Sequence, residues 1–200
     1  LSQAEETYKK AINLNKNYNF DYQLATIYGQ QNEIEKMFES YLRLLKNKKN
    51  TSAIQNLIGK FLNDDPENNN NILLKKVLLK NTQSTPDIFW NEQLSWLFVQ
   101  QKEFDKAFIQ EKAIFNRSGE NLNRIFNLGV LSKEKGEFET ANKIFNFISE
   151  QPLDDNTRIN IISLLLEIKE YKNSRSEYDI IANNYKKALD SFGINNKTIK

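Results

Sequence analysis

The sequence predicts an all-α fold, an α-solenoid of antiparallel helix pairs, and three observations carry that expectation. A pattern of small and apolar residues returns about every 34 positions along the 200-residue chain, and a period between roughly 20 and 50 residues marks stacked repeats rather than one closed core. Gly and Pro number only 6 and 3, so the amphipathic runs have few breaks. The small residues of the pattern fall where two helices must cross closely, and large apolar residues four positions on fill the space beside them. One such pair cannot bury its apolar faces alone, so about three or more must stack.

The clearest unit holds Leu128-Gly129, Gly136-Glu137-Phe138, Ala141 and Phe145. One unit earlier stand Leu94-Ser95, Lys102-Glu103-Phe104 and Ala107. One unit later stand Ile161-Ile162, Lys169-Glu170-Tyr171, Ser174 and Tyr178. Near the start the same phase gives Leu24-Ala25, Asn32-Glu33-Ile34, Met37 and Tyr41, preceded by Ala4, Tyr8 and Ala11. Met37 and Ala107 are two periods apart, and a degraded unit lies between them. Its Leu-Gly pair is Ile58-Gly59, and its second helix, "NILLKKVLL", follows an enlarged turn, "NDDPENNN".

In chain order, the half unit at 1–17 supplies one helix near 2–14, carried by Ala4, Tyr8 and Ala11. The repeat at 18–50 supplies helices near 20–31 and 33–46. The degraded repeat at 51–86 supplies 51–63 and 70–82, and the repeat at 88–121 supplies 87–101 and 103–116. In that last case Thr85-Pro86-Asp87 reads as an N-cap, a first-turn Pro and an acid favoured by the helix dipole. The repeat at 122–154 supplies 121–135 and 137–150. The repeat at 155–188 supplies 156–169, with Asp155 or Asn156 as its cap, and 171–191. Residues 189–200 read as a C-terminal helical extension. All of this reads as one repeat domain over 1–200.

With these positions in place, the chain resembles a tetratricopeptide repeat (TPR) array, in degenerate form. That family's 34-residue unit runs bulky residue, Leu-Gly, aromatic, Gly-acidic-aromatic, Ala, aromatic, Ala and a late Pro. Asn121 to Asp154 matches it best, with Pro152 one residue early, and Ala4, Tyr8 and Ala11 match its second half. Met37 and Ser174 replace the Ala, Ser95 and Ile162 replace the Gly, and Lys16 stands where Pro is usual. The resemblance implies a right-handed TPR-like superhelix.

Composition narrows function. Lys plus Arg number 28 against 26 Asp plus Glu, for a net charge of +2, so nothing points to a nucleic acid partner. The chain has no Cys and no His, which removes thiolate and His-containing catalytic centres and the usual zinc sites. No Gly-rich phosphate loop appears. We expect no enzyme activity, no cofactor, no metal and no small-molecule substrate. The longest apolar runs, such as Ile161 to Ile168, fall short of the roughly 20 residues of a membrane span. A soluble chain is expected, cytoplasmic or periplasmic. It opens in mid-helix without Met or an apolar signal core, so it reads as a fragment, with any signal or anchor upstream.

The family resemblance implies a concave groove, lined by the first helix of each unit, in which a peptide or partner protein docks. Carried onto this sequence, the groove takes Tyr22, Thr26, Glu92, Trp96, Gln100, Asn123, Phe126, Asn127, Val130, Asn160 and Ser163. Amides mixed with aromatics suit a neutral peptide, whose backbone they hydrogen-bond while rings bury its side chains. The plainer reading places Trp96 and Phe126 in the packing between units. No Lys/Arg cluster for gripping a C-terminal carboxylate falls on these helices. The competing function is a structural spacer or assembly subunit that uses its ends or convex face. The resemblance is compatible there with TPR proteins of bacterial envelope, secretion or motility machines. Four weaker signals have ordinary readings. "KNKKN" at Lys46–Asn50 suits a helix C-terminus. The lysines of "LLKKVLLK" flank a buried face. Asp64, Asp65 and Glu67 lack the alternating ligands and Gly of a calcium loop. Sequons at Asn50, Asn116 and Asn196 are expected of an Asn-rich chain.

Overall fold

The computed structural model describes residues 1–47, 51–84, 87–119, 122–170 and 175–191. Among them the chain is all-helical and repeat-like, without strands. The eleven helices are α1 (Ser2–Leu14), α2 (Asp21–Gln30), α3 (Ile34–Lys46), α4 (Thr51–Gly59), α5 (Asn69–Ser84), α6 (Ile88–Gln100), α7 (Phe104–Ser118), α8 (Asn123–Glu134), α9 (Phe138–Ser149), α10 (Asp155–Glu170) and α11 (Arg175–Ser191). They form two compact units, Leu1–Glu103 and Phe104–Lys200, and the division falls inside the repeat expected at 88–121.

In the first unit α3 is the hub, packing on α2, α4 and α5, while α6 packs on α5 and α1 on α2. Of the periodic apolar positions, Leu24, Met37, Tyr41, Ile58 and Leu94 are buried, whereas in α1 Ala4 is exposed, Tyr8 and Ala11 are half-buried, and no residue is buried. Complete burial of a Leu or Phe side chain stabilises by about 1.5–3 kcal/mol, so these buried positions help hold the helices of the unit together. Asp21 and Arg43 tie α2 to α3 with Nε–Oδ1 at 2.7 Å, and Lys76 ties α5 to α3 through Glu35 at 3.0 Å. The other lysines of that segment likewise sit beside buried Leu74, Val77 and Leu78.

In the second unit α9 packs on α8 and α10, α7 lies against α8 and α9, and α11 lies against α10. Ala141, Ile144, Phe145, Ile148, Ile161 and Ile168 are buried in it. Glu111 occupies the place, four residues after the small residue Ala107, that Phe145 occupies after Ala141. It is buried all the same, because Arg124 on α8 grips both carboxylate oxygens, Nε–Oε2 at 2.7 Å and Nη2–Oε1 at 2.8 Å.

The turns that follow α2, α6 and α8 repeat in backbone detail. Asn32, Lys102 and Gly136 each adopt the left-handed conformation, with φ of 59°, 58° and 80°. The next residue's N–H reaches back five positions: Glu33 to Tyr28 O at 2.8 Å, Glu103 to Phe98 O at 2.8 Å, Glu137 to Ser132 O at 2.9 Å. This Schellman-type bond satisfies carbonyls that the helix end leaves open. The fourth expected copy, Lys169-Glu170-Tyr171, departs: α10 continues through Glu170, so Lys169 is helical and is not the left-handed residue. Tyr171 and Ser174 lie outside the described residues, as do Asn50, Asn196 and residues 192–200 of the extension expected at 189–200, whose first three residues continue α11.

Three sequence expectations need correction at element ends. Asp87 is itself the N-cap of α6, accepting from Phe89 N–H at 2.9 Å, so it is not a first-turn acid; Thr85 and Pro86 lie outside the described residues. Asp154, rather than Asp155 or Asn156, caps α10, its carboxylate accepting from Thr157 N–H at 3.0 Å and Thr157 Oγ1 at 2.6 Å. Those two bonds hold the Asp154 carboxyl below the usual range. And α4 ends at Gly59, not 63, because buried Asn71 captures the following chain, donating to Asn63 O at 2.9 Å and Asp65 O at 2.6 Å.

Candidate functional site

The expected groove residues follow helix periodicity on α2, α6, α8 and α10, the first helices of four expected repeats. On α2, Tyr22 and Thr26 are exposed one turn apart, with Thr26 Oγ1 donating to Tyr22 O at 3.0 Å. Tyr41 on α3 lies beneath them, and its burial pushes the phenol pKa up. On α6, Glu92 and Trp96 are half-buried and Gln100 is exposed, a line of three at successive turns. Its neighbouring face is internal: Gln93 is buried and accepts from Gln55 Nε2 of α4 at 3.1 Å.

In the second unit, α8 carries exposed Asn123 and Asn127 with half-buried Phe126 and Val130 beside them. α10 carries exposed Asn160 and half-buried Ser163. Phe126 is partly structural, its ring 6.0 Å from that of buried Phe145. The carboxamides of Asn127 and Asn160 make no hydrogen bond among the described residues. Each expected set thus shares a helix face, α2 and α6 in one unit, α8 and α10 in the other.

Two surface furrows lie elsewhere, on second helices, and the expected groove residues line neither. The furrow between α3 and α5 has a volume of about 560 Å³ and is lined largely by polar groups, among them Asn32, Glu33, Glu35 and Lys36. Glu33 pairs with Lys36 at 2.5 Å and holds the lysine pKa above its ordinary value. The furrow between α7 and α9, about 610 Å³, is lined by Phe108, Ile109, Lys112 and Phe147 with a polar rim. Its signal was present in the sequence as Phe108, Lys112 and Phe115 at helical spacing, but α7 is a second helix and so lay outside the groove that the resemblance implies.

The weaker sequence signals have structural uses. Lys46 bonds Asp87 at 3.1 Å and lies 5.1 Å above the Trp90 ring; Lys48 to Asn50 lie outside the described residues. Asp64 pairs with Lys102 at 2.7 Å, which lowers its pKa, and Asp65 accepts from Glu67 N–H at 3.0 Å. Asn116 of the second sequon lies within α7. Among the described residues no helix is long and apolar enough to cross a membrane, and no three acidic residues gather as a metal site. Neither a protein-family model nor a curated protein matches the chain.

Proposed function

We infer that the chain is a degenerate TPR-like solenoid and a non-enzymatic scaffold that holds a peptide or partner protein against the first helices of its pairs. One observation carries this reading. Asn127 and Asn160 present carboxamides that no described group satisfies, beside half-buried apolar side chains, Phe126 and Val130 on α8. Such amides pair with the N–H and C=O of an extended peptide, and the adjacent apolar surface covers its side chains. The repeated left-handed turn supports the solenoid, since one turn geometry recurs at a spacing of one or two periods.

The test is capture of a partner from native lysate by the intact chain, beside a Trp96→Ala, Phe126→Ala, Asn127→Ala variant whose helicity is checked by circular dichroism. Because Phe126 also packs on Phe145, an Asn127→Ala, Asn160→Ala variant serves as the milder control. A specific partner lost by both variants supports the reading. A partner kept equally by both moves recognition to the convex face or the ends.

A further inference from the structure

The furrow between α7 and α9 has a chemistry that the groove reading does not use. The two helices run in the same direction: Asp105 meets Lys143 at 3.1 Å, and further along Phe108 and Phe115 meet Phe147 with ring centroids 5.6 and 6.0 Å apart. Phe108 is buried and Phe147 half-buried, whereas Ile109, on the same stripe of α7, stands 57% exposed. At the centre Lys112 sets its ammonium 4.6 Å from the Phe108 ring centroid and 5.8 Å from that of Phe147.

Charge distribution decides what fits. Lys143 is already paired with Asp105, but Lys112 meets no carboxylate among the described residues and rests on ring faces alone. Lys112 is half-buried as a residue and its ammonium lies over two rings, so an incoming carboxylate would gain a charge-assisted bond beside an existing cation–π contact. Glu150, which also lines the furrow, is exposed and makes no ion pair among the described residues. A uniformly anionic occupant is therefore disfavoured. Ile109 and Lys112 are three residues apart on one helix, about 5–6 Å between Cβ atoms, and an amphipathic helix presents an apolar and an acidic side chain at the same spacing.

We propose that the α7/α9 furrow is a second docking site, for an amphipathic helix of a partner protein that lays an apolar side chain on Ile109 and Phe147 and, one turn away, a carboxylate on Lys112. It stands apart from the first-helix groove and does not depend on it.

A phage-displayed library built on a helical scaffold, with one face randomised, is selected on the folded chain and counter-selected on Ile109→Asp, an exposed change that leaves the core intact. The expected binders carry an apolar residue with Asp or Glu three or four positions away. They bind Lys112→Met at least fivefold more weakly in anisotropy titrations, and the Trp96→Ala, Phe126→Ala, Asn127→Ala variant binds them as the parent does. Replacing the acidic residue by its amide costs a similar factor and abolishes the sensitivity to Lys112→Met. Recovery of no binder sensitive to Ile109→Asp, or of binders indifferent to Lys112→Met, overturns the proposal. So does a concentration-dependent dimer in sedimentation that Ile109→Asp dissolves, which would give the furrow to a second copy of the chain.

Discussion

A Cβ placed on Gly129 of α8 would stand 2.8 Å from Cε1 of Phe145 on α9, closer than carbon atoms pack, and 2.9 Å from Cγ2 of Ile144. The residue is glycine because these two helices cross there, and the crossing is tight because Phe145 is buried against it.

Gly129→Ala should therefore lower stability by about 1–3 kcal/mol, the usual cost of overpacking, despite alanine's better helix propensity. Gly59→Ala makes the comparison, since a Cβ there meets nothing within 4 Å; it should be neutral or stabilising by up to about 1 kcal/mol. Thermal denaturation followed by circular dichroism reads both, and equal midpoints for the two variants would remove the close-crossing account.

The shared turn makes a prediction of opposite sign. Lys102 holds φ at 58° with a side chain that disfavours it, so Lys102→Gly should stabilise by about 1 kcal/mol. Its ion pair with Asp64 is lost, but both groups are 62% exposed and such pairs contribute little. Asn32→Gly should gain less, because Asn tolerates the left-handed region, and Gly136→Ala should lose about 1 kcal/mol. Urea midpoints for the three variants measure the order.

Much of this was legible in the sequence through the 34-residue phase, although Ala4, Tyr8 and Ala11 of α1 follow the phase without being buried. Leu24, Met37, Ala107, Leu128, Ala141 and Phe145 are all buried as that phase requires. What escaped it depends on polar atoms meeting at a distance in the chain. Asn71 stops α4 early by bonding carbonyls six and eight residues away, and Asp154 outcompetes its neighbours for the α10 cap through Thr157. Periodicity has no account of either. The expected groove residues were legible only as helix faces; the share of Phe126 that belongs to the packing depends on its contact with Phe145, on another helix.

The Glu111–Arg124 pair illustrates the same limit, and it is testable. Arg124→Met leaves the Glu111 carboxylate buried without its bidentate partner. It should cost about 2–3 kcal/mol, less than the 3–5 kcal/mol of a fully buried pair because the guanidinium side chain is 47% exposed. Glu111→Met combined with Arg124→Met should recover most of that loss. A double-mutant cycle in urea measures the coupling, and additive losses would mean that the pair is incidental.

Acid should weaken the fold modestly. Bonds from Lys9 lower the Glu5 pKa, Lys102 lowers that of Asp64, and Thr157 lowers that of Asp154. A depressed folded-state pKa gives stability that is present above the unfolded value and is lost as pH falls through the folded one, hence below about pH 4. The effect is small because Asp64 and Asp154 are solvent-exposed and Glu5 is only half-buried. Melting temperatures at about pH 6 and pH 3 should differ more for the parent than for Asp154→Ala.

The most direct measurement of the central claim is hydrogen exchange on the chain alone and saturated with the captured partner. The account predicts added protection concentrated in α8 and α10, around Asn127 and Asn160, and in α6 around Trp96. Protection confined to α3, α5, α7 and α9 would contradict it.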